Sequence, residues 1–482
     1  MILVALGRFI QYLVLLVTFK ASTTLLAPPE MGKVSLVVTT VGFFAMFFIN
    51  PVGMFINRRF INWNAKGIAQ HYLAYFWLYL LLMSLLADLI VLSLVVLQII
   101  NISIDVYALL FLVGGTLFFG TVNQTVIPTL TLLGYRRWFI GLTVATSLLG
   151  LLTAAVLTML IARDAQLWLS GILFGQFAVG LMGFYIFYQK LASPSKLNLD
   201  TESPTLSRAV LLRLFHFAWP IAIAVGFAWL QSQAYRYQLM SSVGLAQLGL
   251  FVAGFGISAG LIAGFDSMVT TYFGPIFYRR LSNMPDKYHG LAWQHYANSV
   301  IPPLVLTGFL IIALAPQLTK ILLGPLYQDS GIYIVWGALA EVARTATGVY
   351  GLGAHARMNT RLLIVPNLLG AIVALVGVQL LVPLYGVESA GAALFLAAIV
   401  ALVSSALVNR KHISVRISFR QLAKAVLLGM VLIFLADLLE YFEILHPGFV
   451  RAVFIASIVG FLFLLSQWYL LRDFTQLKLH GE

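Results

Sequence analysis

The chain has 482 residues, of which 61% are hydrophobic and 9% are charged, and its mean hydropathy is +0.97. A soluble globular domain carries about 25% charged residues, so this composition excludes an ordinary soluble protein and predicts an integral membrane protein. The chain contains no cysteine, which excludes disulfides, thiolate metal sites and cysteine nucleophiles, and its net charge is +13.

Apolar runs bounded by charges and turn residues predict fourteen membrane-spanning helices, α1 to α14 in chain order. The predicted spans are 2–26, 33–57, 70–100, 106–132, 139–162, 167–188, 214–240, 247–275, 297–322, 332–353, 363–383, 390–409, 423–440 and 449–471. Each span needs about 20 residues, so fourteen use about 280 residues and leave short loops. We therefore expect an all-α integral membrane protein.

The basic residues are distributed unevenly between the two sides of this arrangement. With an even number of spans and the N-terminus inside, most of the 29 Lys and Arg residues fall in cytoplasmic loops, and the outer loops and edges hold only Arg163, Lys320 and Arg451. The positive-inside rule then predicts that both termini are cytoplasmic. Topology and attraction to anionic membrane lipids account for the excess positive charge, so a nucleic-acid partner is not expected.

The first six spans contain four polar residues of interest. Lys20 in α1 lies among Ser and Thr residues, which suits a hydrated cavity, whereas snorkelling to the nearest interface is the alternative. Asp88 in α3 has no partner nearby in sequence, and it would carry a proton, bind Na⁺ or bond to a neighbouring helix. Asn123 and Gln124 in α4 are suited to donate hydrogen bonds to sugar hydroxyls or to pack helices together.

The later spans contain four charged candidates. Arg236 in α7 lies among Gln, Ser and Tyr residues and has the same two interpretations as Lys20. Asp266 in α8 is a candidate for ion coupling or for interhelical bonding. Glu341 and Arg344 in α10 are three residues apart, so they form either an ion pair that fixes the helix or a site for substrate or a coupling cation.

The longest polar segment, Gln189 to Arg213, divides six predicted spans from eight. This division predicts four parts. They are an N-terminal six-helix lobe at 1–190, a cytoplasmic linker at 191–213, a C-terminal six-helix lobe at 214–410, and two additional helices with a cytoplasmic tail at 411–482.

Comparison of the two halves suggests an internal repeat. At an offset of 220 residues Gln124 corresponds to Arg344, and at an offset of 216 residues Lys20 corresponds to Arg236. Transporters built from repeats place their binding sites around a central path. The offsets therefore favour two pseudo-symmetric six-helix lobes.

Three stretches of the sequence resemble the polysaccharide-transporter family of lipid-linked oligosaccharide flippases, within the multidrug/oligosaccharidyl-lipid/polysaccharide superfamily. They are Leu25-Leu26-Ala27-Pro28-Pro29-Glu30-Met31-Gly32, Phe217-Ala218-Trp219-Pro220 and, after Gly386, Gly391-Ala392-Ala393. The resemblance implies two six-helix lobes with two C-terminal helices. It also implies a bacterial inner-membrane flippase that moves a polyprenyl-pyrophosphate-linked oligosaccharide by alternating access for surface polysaccharide biosynthesis, with polysaccharide polymerase machinery as an expected partner.

For such a substrate we expect Lys20 and Arg236, one from each lobe, to bind the pyrophosphate and the sugar hydroxyls. Arg344, Gln124 and Asn123 complete the predicted substrate-binding set. Asp88, Asp266 and Glu341 are the predicted ion-coupling residues.

Two other functional classes remain as alternatives. A multidrug cation antiporter of the same superfamily should have an acidic and aromatic cavity, which Lys20 opposes. A membrane glycan polymerase or ligase should present carboxylates or histidines on outer loops, but the predicted outer loops are short. No nucleotide-binding loop, metalloprotease motif or serine-hydrolase motif is present, so we expect no enzyme activity, cofactor or metal.

Overall fold

The structure is a computed structural model that describes residues 2–98, 102–191, 208–283, 289–356, 360–410, 417–442 and 448–476. Within these ranges every regular element is helical. Residues 192–207 of the predicted linker and 477–482 of the predicted tail lie outside the described residues.

The described ranges contain fourteen long helices, which occur in the predicted order and take the same labels. They are α1 (Ile2–Leu25), α2 (Pro28–Ala65), α3 (Ala69–Val96), α4 (Val106–Leu132), α5 (Arg136–Leu160), α6 (Ala165–Lys190), α7 (208–243), α8 (245–283), α9 (His289–Ala313), α10 (Gly331–Ala356), α11 (Ile364–Tyr385), α12 (Glu388–Arg410), α13 (Phe419–Tyr441) and α14 (Phe449–Gln476). The predicted fold class, an all-α membrane protein of about 14 helices, is confirmed.

Eleven helical stretches in the described ranges are long and apolar enough to cross a membrane. One of them, Val210–Leu281, has 72 residues and contains most of both α7 and α8. The first helix contributes a shorter apolar stretch, Ile10–Leu25, and α10 is more polar because it carries Glu341 and Arg344. The chain is therefore a multi-pass membrane protein.

Three helices contain a π-turn, at Ala45–Ile49 in α2, Thr116–Gly120 in α4 and Leu230–Ala234 in α7. A π-turn adds one residue to a helical turn and rotates the side chains that follow it, and such turns are frequent at functional sites. The π-turn of α4 ends three residues before Asn123, and that of α7 ends two residues before Arg236. Both therefore set the direction of predicted site residues.

A single residue joins α7 to α8. Gly244 has φ 82° and ψ 174°, and the residues on both sides of it are helical. Glycine adopts a positive φ without steric cost because it has no Cβ. The two helices are thus connected without a loop.

The chain divides into two compact units, of which the first is Met1–Trp229. This unit contains α1 to α6 and the first part of α7. Its α5 and α6 approach closely, because a Cβ at Gly171 would lie 2.3 Å from the backbone of Ala154 and one at Gly175 would lie 2.4 Å from the backbone nitrogen of Gly150. Small residues at such positions allow transmembrane helices to pack backbone against backbone.

The second unit is Leu230–Glu482. Its α10 packs against α8, α9 and α12, and the hydroxyl of Ser258 in α8 donates a hydrogen bond of 2.6 Å to the carbonyl of Ile334 in α10. The two C-terminal helices, α13 and α14, pack on α9. At one end of α13, Glu440 binds Lys320 of the short helix Ala315–Leu322 at 3.4 Å. The C-terminal pair is therefore attached by apolar packing and by an ion pair.

Candidate functional site

Lys20 lies in the first unit and is partly buried. The hydroxyl groups beside it donate to backbone carbonyls of their own helix. Thr18 donates to Val14 at 2.7 Å, and Thr24 donates to Lys20 itself at 2.7 Å. Such bonds satisfy Ser and Thr hydroxyls within a transmembrane helix. The polar residues around Lys20 therefore do not by themselves require a hydrated cavity, and its role in substrate binding stays a prediction.

Arg236 lies in the second unit, next to a tightly packed aromatic residue. Tyr235 is 1% exposed and packs against Phe251 and Phe255 of α8. The guanidinium carbon of Arg236 lies 5.9 Å from the centroid of the Tyr235 ring, within the range of a cation–π contact. Arg236 thus lies beside the α7–α8 contact, and its binding role also stays a prediction.

The glutamines near Arg236 connect helices. Gln231 Nε2 donates to the carbonyl of Ala397 in α12 at 3.3 Å, and Gln238 Nε2 donates to the carbonyl of Leu375 in α11 at 3.2 Å. The polar character of this part of α7 is therefore explained in part by interhelical hydrogen bonds.

Glu341 and Arg344 form an ion pair in α10, in which Nη1 of Arg344 donates to Oε1 of Glu341. Their side chains are 13% and 24% exposed, respectively. Two further nitrogens of Arg344, Nε and Nη2, are buried and have no hydrogen-bond partner among the described residues. An unsatisfied buried donor costs about 1–3 kcal/mol, so Arg344 retains the capacity to bind an additional acceptor.

The other two predicted carboxylates differ in their partners. Asp88 in α3 accepts a hydrogen bond from the backbone of Gly114 in α4, whereas its Oδ1 is buried and has no hydrogen-bond partner among the described residues. Asp266 in α8 is hydrogen-bonded to the side chain of Thr270, one helical turn away. Ion coupling at either residue stays a prediction, and Asp88 has the less satisfied carboxylate.

Asn123 connects three helices of the first unit. It is 8% exposed, and its Nδ2 donates to Oγ1 of Thr146 in α5 at 3.0 Å and to the carbonyl of Gln176 in α6 at 3.4 Å. The interhelical alternative for Asn123 is therefore present in the structure. The next residue, Gln124, is exposed.

Both residues line a polar cavity of about 390 Å³ in the first unit, which we call the carboxamide pocket. Its lining residues come from α1, α4, α5 and α6. They are Gln11, Gly120, Asn123, Gln124, Ile127, Pro128, Phe139, Thr143, Thr146, Ser147 and Gln176. Neither Lys20 nor Asp88 is among them.

Three other cavities of the first unit have aromatic and aliphatic linings. The smallest of these three, about 200 Å³, is lined by Trp77, Phe118, Phe119 and neighbouring residues, and it shares Gln176 with the carboxamide pocket. Gln176 therefore lies between a polar and an apolar space.

Sequence reasoning missed Gln11, Gln176 and the hydroxyl residues of α5. These side chains carry no charge, so a search for intramembrane charges passes over them. Glutamine within a span is nevertheless costly unless it is hydrogen-bonded or hydrated, and this signal could have found both glutamines.

Comparison of structures, and not of sequences, detects known proteins that are similar to this chain. No protein-family model matches this sequence, and no curated protein sequence matches it significantly. The structure is similar to that of lipid II flippase MurJ in an inward closed conformation, with a TM-score of 0.65 and 12% identity over 98% of this chain and 100% of that chain. It is also similar to an inward-facing multidrug resistance MATE family transporter of the MOP superfamily, with a TM-score of 0.58 and 14% identity over 86% of this chain and 94% of that chain. The chain therefore shares the fold of these two transporters.

Proposed function

We propose that this protein is a flippase that moves a polyprenyl-pyrophosphate-linked oligosaccharide across the bacterial inner membrane, by alternating access, for surface polysaccharide biosynthesis. The proposal rests mainly on the structural likeness to MurJ, a lipid II flippase, over 98% of this chain and 100% of that chain. The oligosaccharide part rests on the sequence resemblance described above.

The basic residues within the spans suit a pyrophosphate group. Arg344 has two nitrogens available for an acceptor, and a guanidinium fork matches the geometry of phosphate oxygens. Lys20 and Arg236 are the proposed further ligands. Such groups lower the cost of moving an anion through a medium of low dielectric constant.

The membrane potential favours export of this substrate. Moving a negative charge outward across an inside-negative membrane releases about 2.3 kcal/mol per charge for each 100 mV. Counter-transport of H⁺ or Na⁺ at Asp88, Asp266 or Glu341 would add to this driving force. Asp88 is the first residue to test, because its Oδ1 has no hydrogen-bond partner among the described residues.

A multidrug cation transporter is the alternative function, and the likeness to the MATE family transporter favours it. A cationic drug would need an available carboxylate. Glu341 is paired with Arg344 and is therefore less available to a cation, whereas Oδ1 of Asp88 has no hydrogen-bond partner among the described residues. A glycan polymerase or ligase has no comparable support.

The cytoplasmic position of both termini and an interaction with a polysaccharide polymerase stay predictions. They follow from the distribution of basic residues and from the family resemblance, respectively.

Reconstituted protein tests the proposal directly. Liposomes would contain undecaprenyl pyrophosphate that carries N-acetylglucosamine in the inner leaflet, and a lectin outside would report its arrival in the outer leaflet. We expect translocation by the wild-type protein and a reduced rate in Arg344→Lys, which keeps the charge but loses the fork. Absence of lipid translocation together with uptake of ethidium would support the multidrug alternative.

A further inference from the structure

The carboxamide pocket has an uncharged lining within a protein whose net charge is +13. Among the described lining residues, four carboxamides and three hydroxyls provide the polar groups, and none of these side chains carries a formal charge. These side chains therefore bind a ligand through hydrogen bonds rather than through ion pairing.

The hydroxyl groups of α5 that line the pocket donate hydrogen bonds to backbone carbonyls of their own helix. Thr143 donates to the carbonyl of Phe139 at 2.7 Å, Thr146 donates to that of Leu142 at 2.9 Å, and Ser147 donates to that of Thr143 at 3.2 Å. Each hydroxyl oxygen then has lone pairs left and no proton to give. In this arrangement the hydroxyl groups of α5 offer acceptors to the pocket, although Thr146 Oγ1 already accepts one hydrogen bond from Asn123.

Gln176 adds a buried acceptor to the same pocket. Its Oε1 has no hydrogen-bond partner among the described residues. The side chain reaches this position because Gly120 has no Cβ, which would otherwise lie 2.9 Å from Oε1. A buried acceptor in a membrane-spanning unit needs a donor, so a donor group of a ligand would complete the pocket.

The frame of the pocket is held in place before a ligand binds. Asn123 bonds to Thr146 of α5 and to the backbone of Gln176 in α6, so three helices are fixed relative to one another. Gln124 is exposed within this frame and offers both a donor and an acceptor. A preformed pocket loses less entropy when a ligand is bound.

This pattern discriminates between the two parts of a lipid-linked glycan. A pyrophosphate is an anion that mainly accepts hydrogen bonds, so it would face the acceptor oxygens of α5 and Gln176, and the described lining offers it carboxamide donors but no cation. A sugar ring carries several hydroxyl donors and no charge, and a cavity of about 390 Å³ lies within the size range of small-molecule sites.

We infer that the carboxamide pocket binds uncharged sugar residues of the substrate, while the pyrophosphate binds basic residues elsewhere in the protein. This inference rests on the proposed flippase function and deepens it, because it assigns recognition of the sugar part of the substrate to the first unit.

The test compares binding of lipids that differ only in the sugar. The probes are undecaprenyl pyrophosphate alone and the same lipid carrying one residue of N-acetylglucosamine, glucose or galactose, each titrated into protein in nanodiscs. We expect the wild-type protein to bind at least one glycosylated lipid about tenfold more tightly than the bare lipid, the equivalent of one or two hydrogen bonds. Gln176→Leu should remove this tenfold gain and leave the Kd of the bare lipid unchanged.

Two further variants guard against a folding defect. Gln124→Leu changes an exposed side chain of the pocket and should reduce the same gain, whereas Gln379→Leu removes an exposed carboxamide of α11 in the second unit and should not. If the variants and the wild-type protein unfold at the same temperature, the differences in affinity arise from binding and not from misfolding.

The possible failures are distinct. If the bare lipid binds but no sugar adds affinity, or if Gln176→Leu weakens binding of the bare and glycosylated lipids equally, the sugar pocket is wrong and the flippase function stands. If neither lipid binds to the wild-type protein, the proposed function fails and the inference fails with it. The lipids should also be titrated in NaCl and in choline chloride. If NaCl strengthens lipid binding relative to choline chloride, and this difference disappears in Gln176→Leu, the pocket is a cation site and the inference is wrong.

Discussion

The α4 and α10 helices carry different chemistry at positions that correspond in the predicted repeat. Gln124 of α4 is an exposed carboxamide in a pocket lined by uncharged groups. Arg344 of α10 is a partly buried guanidinium that binds Glu341 and retains two unfilled donor nitrogens. The predicted repeat would thus place an uncharged hydrogen-bonding group in one half and a cation in the other, which suits the proposed substrate with its neutral and anionic parts.

The largest effect should follow from removal of the cation. Arg344→Ala should weaken binding of bare undecaprenyl pyrophosphate by about 10- to 100-fold, because a hydrogen bond to a charged group contributes about 1.5–3 kcal/mol. The affinity gained from a sugar should persist. Titration of both lipids into nanodiscs measures the two quantities separately.

The double variant Glu341→Gln/Arg344→Gln is the control for Arg344→Ala. It removes both charges of the ion pair and leaves no unpaired carboxylate in the span. We expect the same loss of pyrophosphate affinity with a smaller loss of thermal stability. An unchanged Kd in both variants would show that Arg344 does not bind the substrate.

A slightly smaller effect, on stability and on sugar binding, should follow from disruption of the α5–α6 packing that supports the carboxamide pocket. In Gly175→Ala the new Cβ would lie 2.4 Å from the backbone nitrogen of Gly150, so α6 must move away from α5 and Gln176 must move with it. We expect a loss of about 1–3 kcal/mol in the free energy of unfolding. Thermal unfolding in detergent and the sugar-dependent part of the binding affinity would both report the change.

Gly141→Ala provides the matched control, since no atom lies within 4 Å of a Cβ at that position in α5. Alanine favours a helix over glycine by up to about 1 kcal/mol, so this variant should be neutral or slightly more stable. Equal destabilisation by the two substitutions would contradict the close contact between α5 and α6.

Loss of the two interhelical hydrogen bonds of Asn123 should have a modest effect on stability. Asn123→Ala removes the donor to Thr146 and to the carbonyl of Gln176. Single hydrogen bonds between transmembrane helices contribute about 0.6 kcal/mol on average, so we expect a decrease of about 1 kcal/mol in the free energy of unfolding for the two bonds. A decrease above about 3 kcal/mol, measured by denaturant titration, would mean that Asn123 supports much more than this contact.

A change in ionic strength should have the smallest effect on lipid binding. It should also distinguish the ion pairing of the pyrophosphate from the hydrogen bonding of the sugar. Raising the salt concentration from about 0.1 M to 1 M shortens the Debye length from about 10 Å to 3 Å. Binding of the bare lipid should then weaken by a factor of about 3 to 5 through screening, while the ratio of the two lipid affinities should stay constant. A ratio that falls with salt would indicate that the sugar pocket contains a charge.

Hydropathy predicts the membrane-crossing part of a helix better than the helix itself. The prediction for α4, 106–132, coincides with the observed helix, whereas 33–57 for α2 falls short of the observed Pro28–Ala65. Proline is tolerated in the first turn, where its missing N–H has no helical partner, so α2 begins at Pro28. At its other end the helix continues through polar residues such as Arg58, which have no hydropathy signal.

The prediction for α9 was wrong at its C-terminal end. The sequence predicts one helix over 297–322, but α9 ends at Ala313 and a short helix covers Ala315–Leu322. Leu314 between them departs from helical torsions, and the short helix has proline in its first turn. An apolar run that continues across a break cannot reveal the break.

Some candidate site residues can be found from the sequence, and others become apparent only in the structure. Single charges such as Arg344 are easy to find in an apolar sequence because their insertion cost is high. Gln11 and Gln176 are 165 positions apart, and their common pocket exists only after four helices have packed. The free nitrogens of Arg344 likewise depend on the packing around α10.

The single-residue connection at Gly244 has a practical consequence for protein engineering. Its backbone torsions are accessible to glycine almost alone, so side chains introduced there would strain the hairpin. Epitope tags, protease sites and fluorophore attachment points that map topology should therefore be placed at other turns, since an insertion at this one would splay two helices that have no slack between them.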